Sequence, residues 1–228
     1  MLRKVREKTR TSSETYIAYG ERRVRRFDKE ISQKVRFLIG VDEAGRGPLA
    51  GPVAVGVAIV PVYFDWTLIL GVGDSKKVTP KNREAIFRRA KQLKKDGLLD
   101  FAVVLVSAKV IDKIGITKAV ALGITRAFAK LNPNPDATDV RLDGLLKAPP
   151  QFTNQQTIIK GDQKEKVIGL ASIMAKVTRD DHMVRLARLH PHYHFEVHKG
   201  YGTKVHRGAI LKYGISGAHR QSFCKKFI

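Results

Sequence analysis

The chain reads Val41-Asp42-Glu43-Ala44-Gly45-Arg46-Gly47-Pro48 where an apolar run ends in two adjacent acids and a turn rich in glycine. Side chains alternate along a strand, so neighbouring acids at its end reach one metal ion only if the backbone leaves its regular twist. Glycine allows that departure because it adopts backbone angles that other residues avoid. The turn also leaves peptide groups bare enough for a sugar or a phosphate to approach closely. The stretch therefore predicts a strand that ends in a binding site.

The composition is that of one basic globular domain. The 228 residues carry a formal net charge of +22, which indicates a polyanionic partner. A basic surface would also suit anionic lipid or ribosomal RNA, but we favour nucleic acid. The longest apolar stretch, roughly 53–62, is shorter than the ~20 residues that cross a bilayer, and the single cysteine, Cys224, suits a reducing compartment. We therefore expect a cytoplasmic protein without a membrane partner.

The first 35 residues differ in character from the rest of the chain. They hold the doublets Arg22-Arg23 and Arg25-Arg26 and show little apolar periodicity, which predicts a basic N-terminal arm, either flexible or helical. An organelle transit peptide is an alternative, although Glu7 and Glu14 argue against it. The folded domain is expected at 36–228.

Beyond the arm, the chain alternates between strand and helix patterns. Strands are predicted at 35–41, 52–60, 67–70, 101–106, 139–142 and 157–159, and helices from Thr79-Pro80 onward and at 118–131, 167–189 and 205–213. A meander of strands and then strands that alternate with helices predict an α/β fold, with a mixed sheet whose second half is mostly parallel. Such sheets keep their sites at the strand ends.

Four acids share one setting, because each comes after a short apolar strand and lies beside a glycine turn or loop. They are Asp42, Glu43, Asp143 and Asp162. Carboxylates that are brought together repel one another, and a hard divalent cation removes that cost. Oxygen ligands suit Mg²⁺ or Mn²⁺ rather than zinc. Each acid alone could simply cap a turn, but the recurring pattern favours a metal site for phosphodiester hydrolysis.

Several motifs, in their order along the chain, resemble the ribonuclease HII family. The resemblance runs from about residue 37 to 223 and rests on Gly40–Val53, Asp74–Lys77, Leu142–Gly144, Lys160–Asp162, Ala171–Asp180 and His198–Thr203. It implies that 36–228 is a catalytic domain with a ribonuclease H-like fold, a mixed sheet flanked by helices with a helical C-terminal extension. The basic arm lies outside the resemblance.

The resemblance also implies a function and residue roles. It implies an endonuclease, acting as a monomer, that hydrolyses the RNA strand of RNA–DNA hybrids and nicks 5′ to ribonucleotides embedded in duplex DNA, giving 5′-phosphate and 3′-hydroxyl ends. The four acids would be the catalytic residues and would hold Mg²⁺ or Mn²⁺. The implied substrate-binding residues are Gly45, Arg46, Gly47, Lys76, Lys77, Lys176 and Tyr201.

These substrate residues divide by the group they would contact. Backbone amides and carbonyls of the glycine turn would read the ribose 2′-hydroxyl, the group that separates RNA from DNA. Tyr201 would stack on the neighbouring sugar at an RNA-to-DNA junction. The lysines would contact phosphates, which position a duplex without reading sequence, although a solvated face explains each lysine equally well.

Two departures from the family pattern concern the surroundings of the site. Gly169-Leu170 replaces the usual pair of alanines, which could alter helix packing beneath the site. His192 and His194 replace small residues in the loop that leads to Tyr201. Neither change removes a carboxylate, so we expect activity to be retained.

Competing patterns are weaker. Residues 45–50 also fit the dinucleotide fingerprint Gly-x-Gly-x-x-Ala, but a β-rich run comes next where that motif must open a helix. The histidines at 190, 192, 194 and 198 lack the paired spacing of a zinc site, and we expect them to be solvated loop residues. Alternative functions are a nuclease of the same broad fold that acts on DNA, and a catalytically silent nucleic-acid-binding protein. The glycine turn and Tyr201 argue against the first, and the intact acids argue against the second.

Overall fold

The computed structural model describes residues 36–73 and 78–227. The expected basic arm at 1–35 and the predicted phosphate contacts Lys76 and Lys77 therefore lie outside the described residues. Among the helices of the described ranges, none combines the length and the apolar character that a bilayer span requires.

A mixed sheet forms the centre of the described domain. Its strands are β1 (Phe37–Ala44), β2 (Val53–Pro61), β3 (Asp100–Val106), β4 (Thr138–Asp143) and β5 (Gln155–Ile158), in the order β3-β2-β1-β4-β5. β2 is antiparallel to both β1 and β3, whereas β4 runs parallel to β1 and β5 runs parallel to β4. The predicted mixed sheet with a parallel second half is confirmed, and β1 lies at its middle.

Helices cover both faces of this sheet. They are α1 (Pro80–Lys95), α2 (Ala108–Ile114), α3 (Ile116–Leu131), α4 (Gly161–Lys164), α5 (Lys166–Leu189), α6 (Phe195–His198), α7 (Lys204–Tyr213) and α8 (Gln221–Cys224). One apolar core packs α3 against β2 and β3, and a second packs α1 and α5 against the other side of the strands. A third core joins the end of α5 to the C-terminal helices, which form the predicted extension.

The strand predicted at 67–70 does not form. Trp66–Leu68 is a 3₁₀ helix instead, because the side chain of Asp65 accepts a hydrogen bond from the Thr67 amide at 2.9 Å. Such a local cap offers the backbone an alternative to a sheet ladder. The short helix α2 was not predicted either, and its first turn is capped by the Ser107 side chain, which accepts a hydrogen bond from the Val110 amide.

Two glycines let α5 lie directly on the central strands. A Cβ on Gly40 of β1 would come 2.1 Å from the carbonyl oxygen of Val167, and a Cβ on Gly56 of β2 would come 2.3 Å from that of Ala171. Any larger residue would push the helix off the sheet, because packed interiors leave no such room. The close contact brings Ser172 of α5 to the end of β1, where it hydrogen-bonds the side chain of Asp42.

Candidate active site

The register of the sheet brings predicted acids together at the C-terminal ends of two neighbouring strands. β1 and β4 run parallel with Val41 opposite Leu142, so Asp42 and Asp143 are the next residues on two neighbouring strands. Glu43 comes after Asp42 on β1. The charge of Asp143 raises the pKa of both Asp42 and Glu43, so the three side chains share one electrostatic environment. We call these three residues the acid edge.

Asp42 is the most perturbed member of the acid edge. Its exposed fraction is 6%, and one of its oxygens accepts a hydrogen bond from the Glu43 amide at 2.7 Å. Burial raises the pKa of Asp42 to about 8, although its hydrogen bond with Ser172 acts in the opposite direction. The charges of Glu43 and Asp143 raise it further. Without a cation, the Asp42 carboxyl therefore holds its proton around neutral pH.

Glu43 is held by the arginine of the glycine turn. Burial raises the pKa of Glu43, and the charge of Arg46 opposes that shift. The Nη1 atom of Arg46 lies 3.3 Å from Oε1 of Glu43, and its Nη2 donates to the Thr117 hydroxyl at 3.4 Å. Arg46, a predicted substrate residue, thus partly offsets the negative charge of the Glu43 carboxylate.

The fourth acid, Asp162, lies in the first turn of α4, beside the residue whose amide binds Asp143. Oδ1 of Asp143 accepts a hydrogen bond from the Gly161 amide at 2.7 Å. Asp162 is the next residue along the chain, and it is buried with an exposed fraction of 4%. The fourth acid is therefore covalently adjacent to the amide group that Asp143 binds.

The residue types fit a hard divalent cation, although the side chains do not yet enclose one. All four predicted ligands are carboxylates, the donors that Mg²⁺ and Mn²⁺ prefer. The raised pKa of Asp42 and Glu43 reports the burial and repulsion that a cation would relieve. Within 36–73 and 78–227, no three or more His, Cys, Asp and Glu side chains converge closely enough to hold an ion as they stand. Binding would require these side chains to draw together.

The two glycines of the turn after β1 occupy different structural environments. Gly45 has a φ of +88°, and a Cβ there would lie 1.9 Å from Nε of Arg179. Gly47 has no positive φ, and a Cβ there would meet nothing within 4 Å. The predicted need for unusual backbone angles therefore holds for Gly45 only. Gly47 instead leaves open space at an exposed position.

Arg220, which the sequence analysis missed, fixes this turn from within the protein. It is fully buried and donates to three carbonyl oxygens, those of Gly45 (2.7 Å), Arg46 (2.9 Å) and Gly51 (3.0 Å). Two carbonyls that were expected to read a hydroxyl are thus already hydrogen-bonded. The amide groups of the turn are the better candidates for that role.

A second buried arginine, Arg179 on α5, connects the turn to Tyr201. It donates to the carbonyl oxygens of Pro52 at 2.9 Å and Ala50 at 3.3 Å. Its guanidinium carbon lies 5.8 Å from the ring centre of Tyr201, whose exposed fraction is 44%. Arg179 was overlooked because its helix carries many basic residues, and only its tertiary contacts separate it from the solvated ones.

The last predicted substrate residue in the described ranges is engaged in an ion pair. Nζ of Lys176 lies 2.9 Å from an oxygen of Asp180, one turn further along α5, and both side chains are partly exposed. A phosphate would have to compete with Asp180 for this lysine.

The two departures from the family pattern lie at different distances from the acids. A Cβ on Gly169 would come 3.0 Å from the carbonyl oxygen of Asp162, so the glycine lets α5 approach the backbone of a predicted ligand. His192 is exposed and stacks on Tyr213 with ring centres 4.9 Å apart. His194 is exposed as well. Only the first departure borders the site.

The expectation of solvated loop histidines is wrong for His198. This residue has an exposed fraction of 8%, its Nε2 lies 2.6 Å from the carbonyl oxygen of Tyr193, and its Nδ1 accepts a hydrogen bond from the Gly200 amide at 3.2 Å. Both ring nitrogens have a backbone partner in the chain, which explains why a histidine can be buried there.

A mixed sheet of this strand order, with carboxyl groups at the ends of two central parallel strands, is the arrangement of ribonuclease H-like hydrolases. Solved structures agree with this class. Ribonuclease H2 from Pyrococcus horikoshii OT3 superimposes with a TM-score of 0.65 at 27% identity, covering 84% of this chain and 96% of that one. Bst-RNase HIII in complex with Mn²⁺ has a TM-score of 0.68 at 20% identity, with coverages of 84% and 68%.

Sequence comparison identifies the family within that class. The family model of ribonuclease HII matches residues 39–226. The ribonuclease HII of Caldicellulosiruptor bescii is 44% identical over 201 residues, which cover 88% of this chain and 93% of that protein. The chain belongs to the ribonuclease HII family, and it is a ribonuclease H type endoribonuclease that hydrolyses the RNA of RNA–DNA hybrids. The resemblance and the fold predicted from the sequence are confirmed.

Proposed function

We propose that this enzyme also nicks duplex DNA on the 5′ side of embedded ribonucleotides, with 5′-phosphate and 3′-hydroxyl products, and that Asp42, Glu43, Asp143 and Asp162 hold the divalent cation it requires. The observation that carries this proposal is the acid edge. Its three acids lie at neighbouring strand ends, with Asp42 buried and Glu43 and Asp143 half-buried, and the pKa of Asp42 is raised to about 8. Buried like charges of this kind are typical of sites that bind a cation.

The cation is Mg²⁺ or Mn²⁺, and when bound it would polarise the scissile phosphate and lower the pKa of an attacking water. The complex of Bst-RNase HIII with Mn²⁺ supports a divalent ion in this fold. The chain itself orients the ligands. Ser172 and the Glu43 amide both hydrogen-bond Asp42, and the Gly161 amide hydrogen-bonds Asp143.

Glu43 can serve as a ligand once Arg46 releases it. The pair lies near the surface, and the Arg46 side chain is 48% exposed. Ion pairs of this kind contribute about 1 kcal/mol or less, so a cation and a substrate phosphate can displace it. Arg46 would then be available to the nucleic acid.

The ribose is recognised at the glycine turn. The amide groups of Gly45, Arg46 and Gly47 read the 2′-hydroxyl, and the open space at Gly47 admits the sugar. The exposed ring of Tyr201 stacks on the adjoining sugar.

The remaining contacts are electrostatic. Lys176 and the lysines at 76 and 77 contact phosphates, and the arm at 1–35 adds affinity through the release of counterions. The enzyme acts as a monomer in the cytoplasm on RNA–DNA hybrids and on DNA that contains ribonucleotides.

The test uses three duplexes, one of DNA with a single embedded ribonucleotide, one of DNA alone and one RNA–DNA hybrid. With Mg²⁺ or Mn²⁺ we expect a nick 5′ to the ribonucleotide and degradation of the hybrid, whereas the DNA duplex stays intact. A chelator should abolish both reactions. Equal cutting of the DNA duplex, or unchanged cutting in chelator, would refute the proposal.

A further inference from the structure

A pair of buried histidines lies beneath Tyr201, outside the acid edge. His206 of α7 is fully buried and His219 is 2% exposed, and their Nε2 atoms lie 3.1 Å apart. Two imidazole nitrogens at this distance form a hydrogen bond only if one carries a proton and the other does not. We call His206 and His219 the histidine pair.

The backbone decides which nitrogen carries each proton. The Ser216 amide donates to Nδ1 of His219 at 2.9 Å, so that nitrogen is an acceptor and the proton of neutral His219 is on Nε2. His219 therefore donates to Nε2 of His206. The proton of His206 must then be on Nδ1, which lies 2.9 Å from the carbonyl oxygen of Tyr201. One chain of hydrogen bonds runs from Ser216 to Tyr201 in a single direction.

This chain ends on a backbone group that orients the tyrosine. The Tyr201 carbonyl also accepts from the Thr203 amide at 2.8 Å, so both of its acceptor positions are used. The preceding residue, Gly200, has a φ of +84°, and its carbonyl accepts from the Leu49 amide at 2.9 Å. The peptide groups on both sides of the Tyr201 ring are thus hydrogen-bonded, one to the histidine pair and one to the segment after the glycine turn.

The histidine pair is also coupled to the glycine turn. Directly after His219 comes Arg220, which donates to the turn carbonyls, and His219 itself forms a β-bridge with Ala50. Two consecutive residues of the C-terminal extension therefore support the two parts of the proposed sugar site. Arg220 binds the glycine turn, and His219 acts on Tyr201 through His206.

We infer that the histidine pair positions the Tyr201 ring for the sugar next to the scissile ribonucleotide, and that it does so as two neutral histidines with fixed and opposite tautomers. The inference rests on the proposed sugar-stacking role of Tyr201. His206 and His219 are positioning residues, because they reach the substrate only through Tyr201. Burial lowers the pKa of each to about 4, in accord with uncharged rings.

The functional test is a double-mutant cycle on the duplex with one embedded ribonucleotide. His206→Phe keeps a flat ring against His198, whose ring centre is 4.4 Å away, but removes the donor to the Tyr201 carbonyl. Because one hydrogen bond that orients Tyr201 is lost, we expect kcat/KM to fall roughly five- to tenfold. In a Tyr201→Ala background the same substitution should have no further effect. His192→Phe, an exposed histidine of the same extension, is the matched control and should leave kcat/KM unchanged.

The outcomes separate this inference from the proposed function. A general loss of folding would lower kcat/KM in both backgrounds, so additive effects of His206→Phe and Tyr201→Ala would overturn the inference and leave the role of Tyr201 intact. Full activity of Tyr201→Ala would overturn both. A second measurement uses the wild-type protein and does not depend on the activity of any variant. ¹⁵N NMR of the imidazole rings at neutral pH should show His206 protonated at Nδ1 and His219 protonated at Nε2. The reverse tautomers, or a charged ring, would contradict the inference.

Discussion

The acid edge and the histidine pair both contain buried titratable side chains, yet they offset the cost of burial in opposite ways. In the acid edge, burial and like charges raise the pKa of Asp42 to about 8. In the histidine pair, burial lowers both pKa values to about 4, and each ring nitrogen has a hydrogen-bond partner within the chain. The first group needs a cation to become fully charged, and the second is complete without a ligand. This difference distinguishes the proposed catalytic site from the residues proposed to position Tyr201.

The largest expected effect comes from removing one charge of the acid edge. Asp143→Asn keeps an oxygen that can accept from the Gly161 amide but removes a negative charge that the cation needs. Stabilisation of the transition state by a bound metal amounts to several kcal/mol, so turnover of the embedded-ribonucleotide duplex should fall by about 10³-fold. Duplex binding, measured by fluorescence anisotropy, should change little.

The matched control for that variant lies on the same strand. Asp139 pairs with Arg141 at 2.6 Å and lies four residues before Asp143 on β4, so Asp139→Asn should retain turnover. Wild-type turnover in Asp143→Asn would show that Asp143 is not a metal ligand. The proposed contrast between the acid edge and the histidine pair would then fail.

A smaller effect should separate the two glycines of the turn. At Gly47 an added methyl group meets no protein atom, so Gly47→Ala should keep the thermal stability of the wild type. The methyl group would enter the space proposed for the sugar, and overpacking costs roughly 1–3 kcal/mol, so kcat/KM should fall by about 5- to 150-fold. Gly45→Ala should lower both stability and activity, because its φ of +88° and the contact with Arg179 exclude a side chain. Thermal unfolding and steady-state kinetics of both variants test this, and normal activity of Gly47→Ala would refute it.

The sequence predicted the acid edge better than the residues that support the proposed sugar site. Asp42, Glu43 and Asp143 lie at the ends of apolar strands, and a parallel sheet brings such positions together whatever surrounds them. The roles of His206, His219 and Arg220 depend on contacts that only the folded extension creates. For example, Arg220 donates to turn carbonyls more than 170 residues earlier in the chain.

Local polar chemistry explains the remaining errors. Asp65 forms a cap and replaces a strand that apolar residues at 67–70 had predicted. His198 was expected in solvent because a loop rich in histidine is usually hydrated, but two backbone groups bind its ring. In both places, side-chain hydrogen bonding outweighed the composition of the segment.

The smallest expected effect is on stability, where pH should act on the two regions with opposite sign. The folded-state pKa of Asp42, about 8, lies above its ordinary value of 3.8, so the metal-free protein should lose stability as pH rises from 3.8 through 8. The folded-state pKa of the histidine pair, about 4, lies below the ordinary 6.5, so their contribution is lost as pH falls from 6.5 through 4. Thermal unfolding without metal should therefore show a maximum near pH 6.5, with a decline of a few degrees on each side.

Two variants show which residues cause the loss of thermal stability on each side of the maximum. Asp42→Asn should remove the decline on the alkaline side, and saturating Mg²⁺ should do the same in the wild type. His219→Phe should reduce the decline on the acid side and leave the alkaline side as it was. An alkaline decline that persists in Asp42→Asn would show that Asp42 does not cause it.

A crystal structure of the full chain with Mn²⁺, with the ion located by its anomalous scattering, would show whether the acid edge holds a metal ion. We expect anomalous density within coordination distance of carboxylate oxygens of Asp42 and Asp143, with Glu43 released from Arg46 and the Asp162 side chain moved towards the ion. An acid edge without density at saturating Mn²⁺, in crystals of an enzyme that cleaves its substrate, would contradict this expectation.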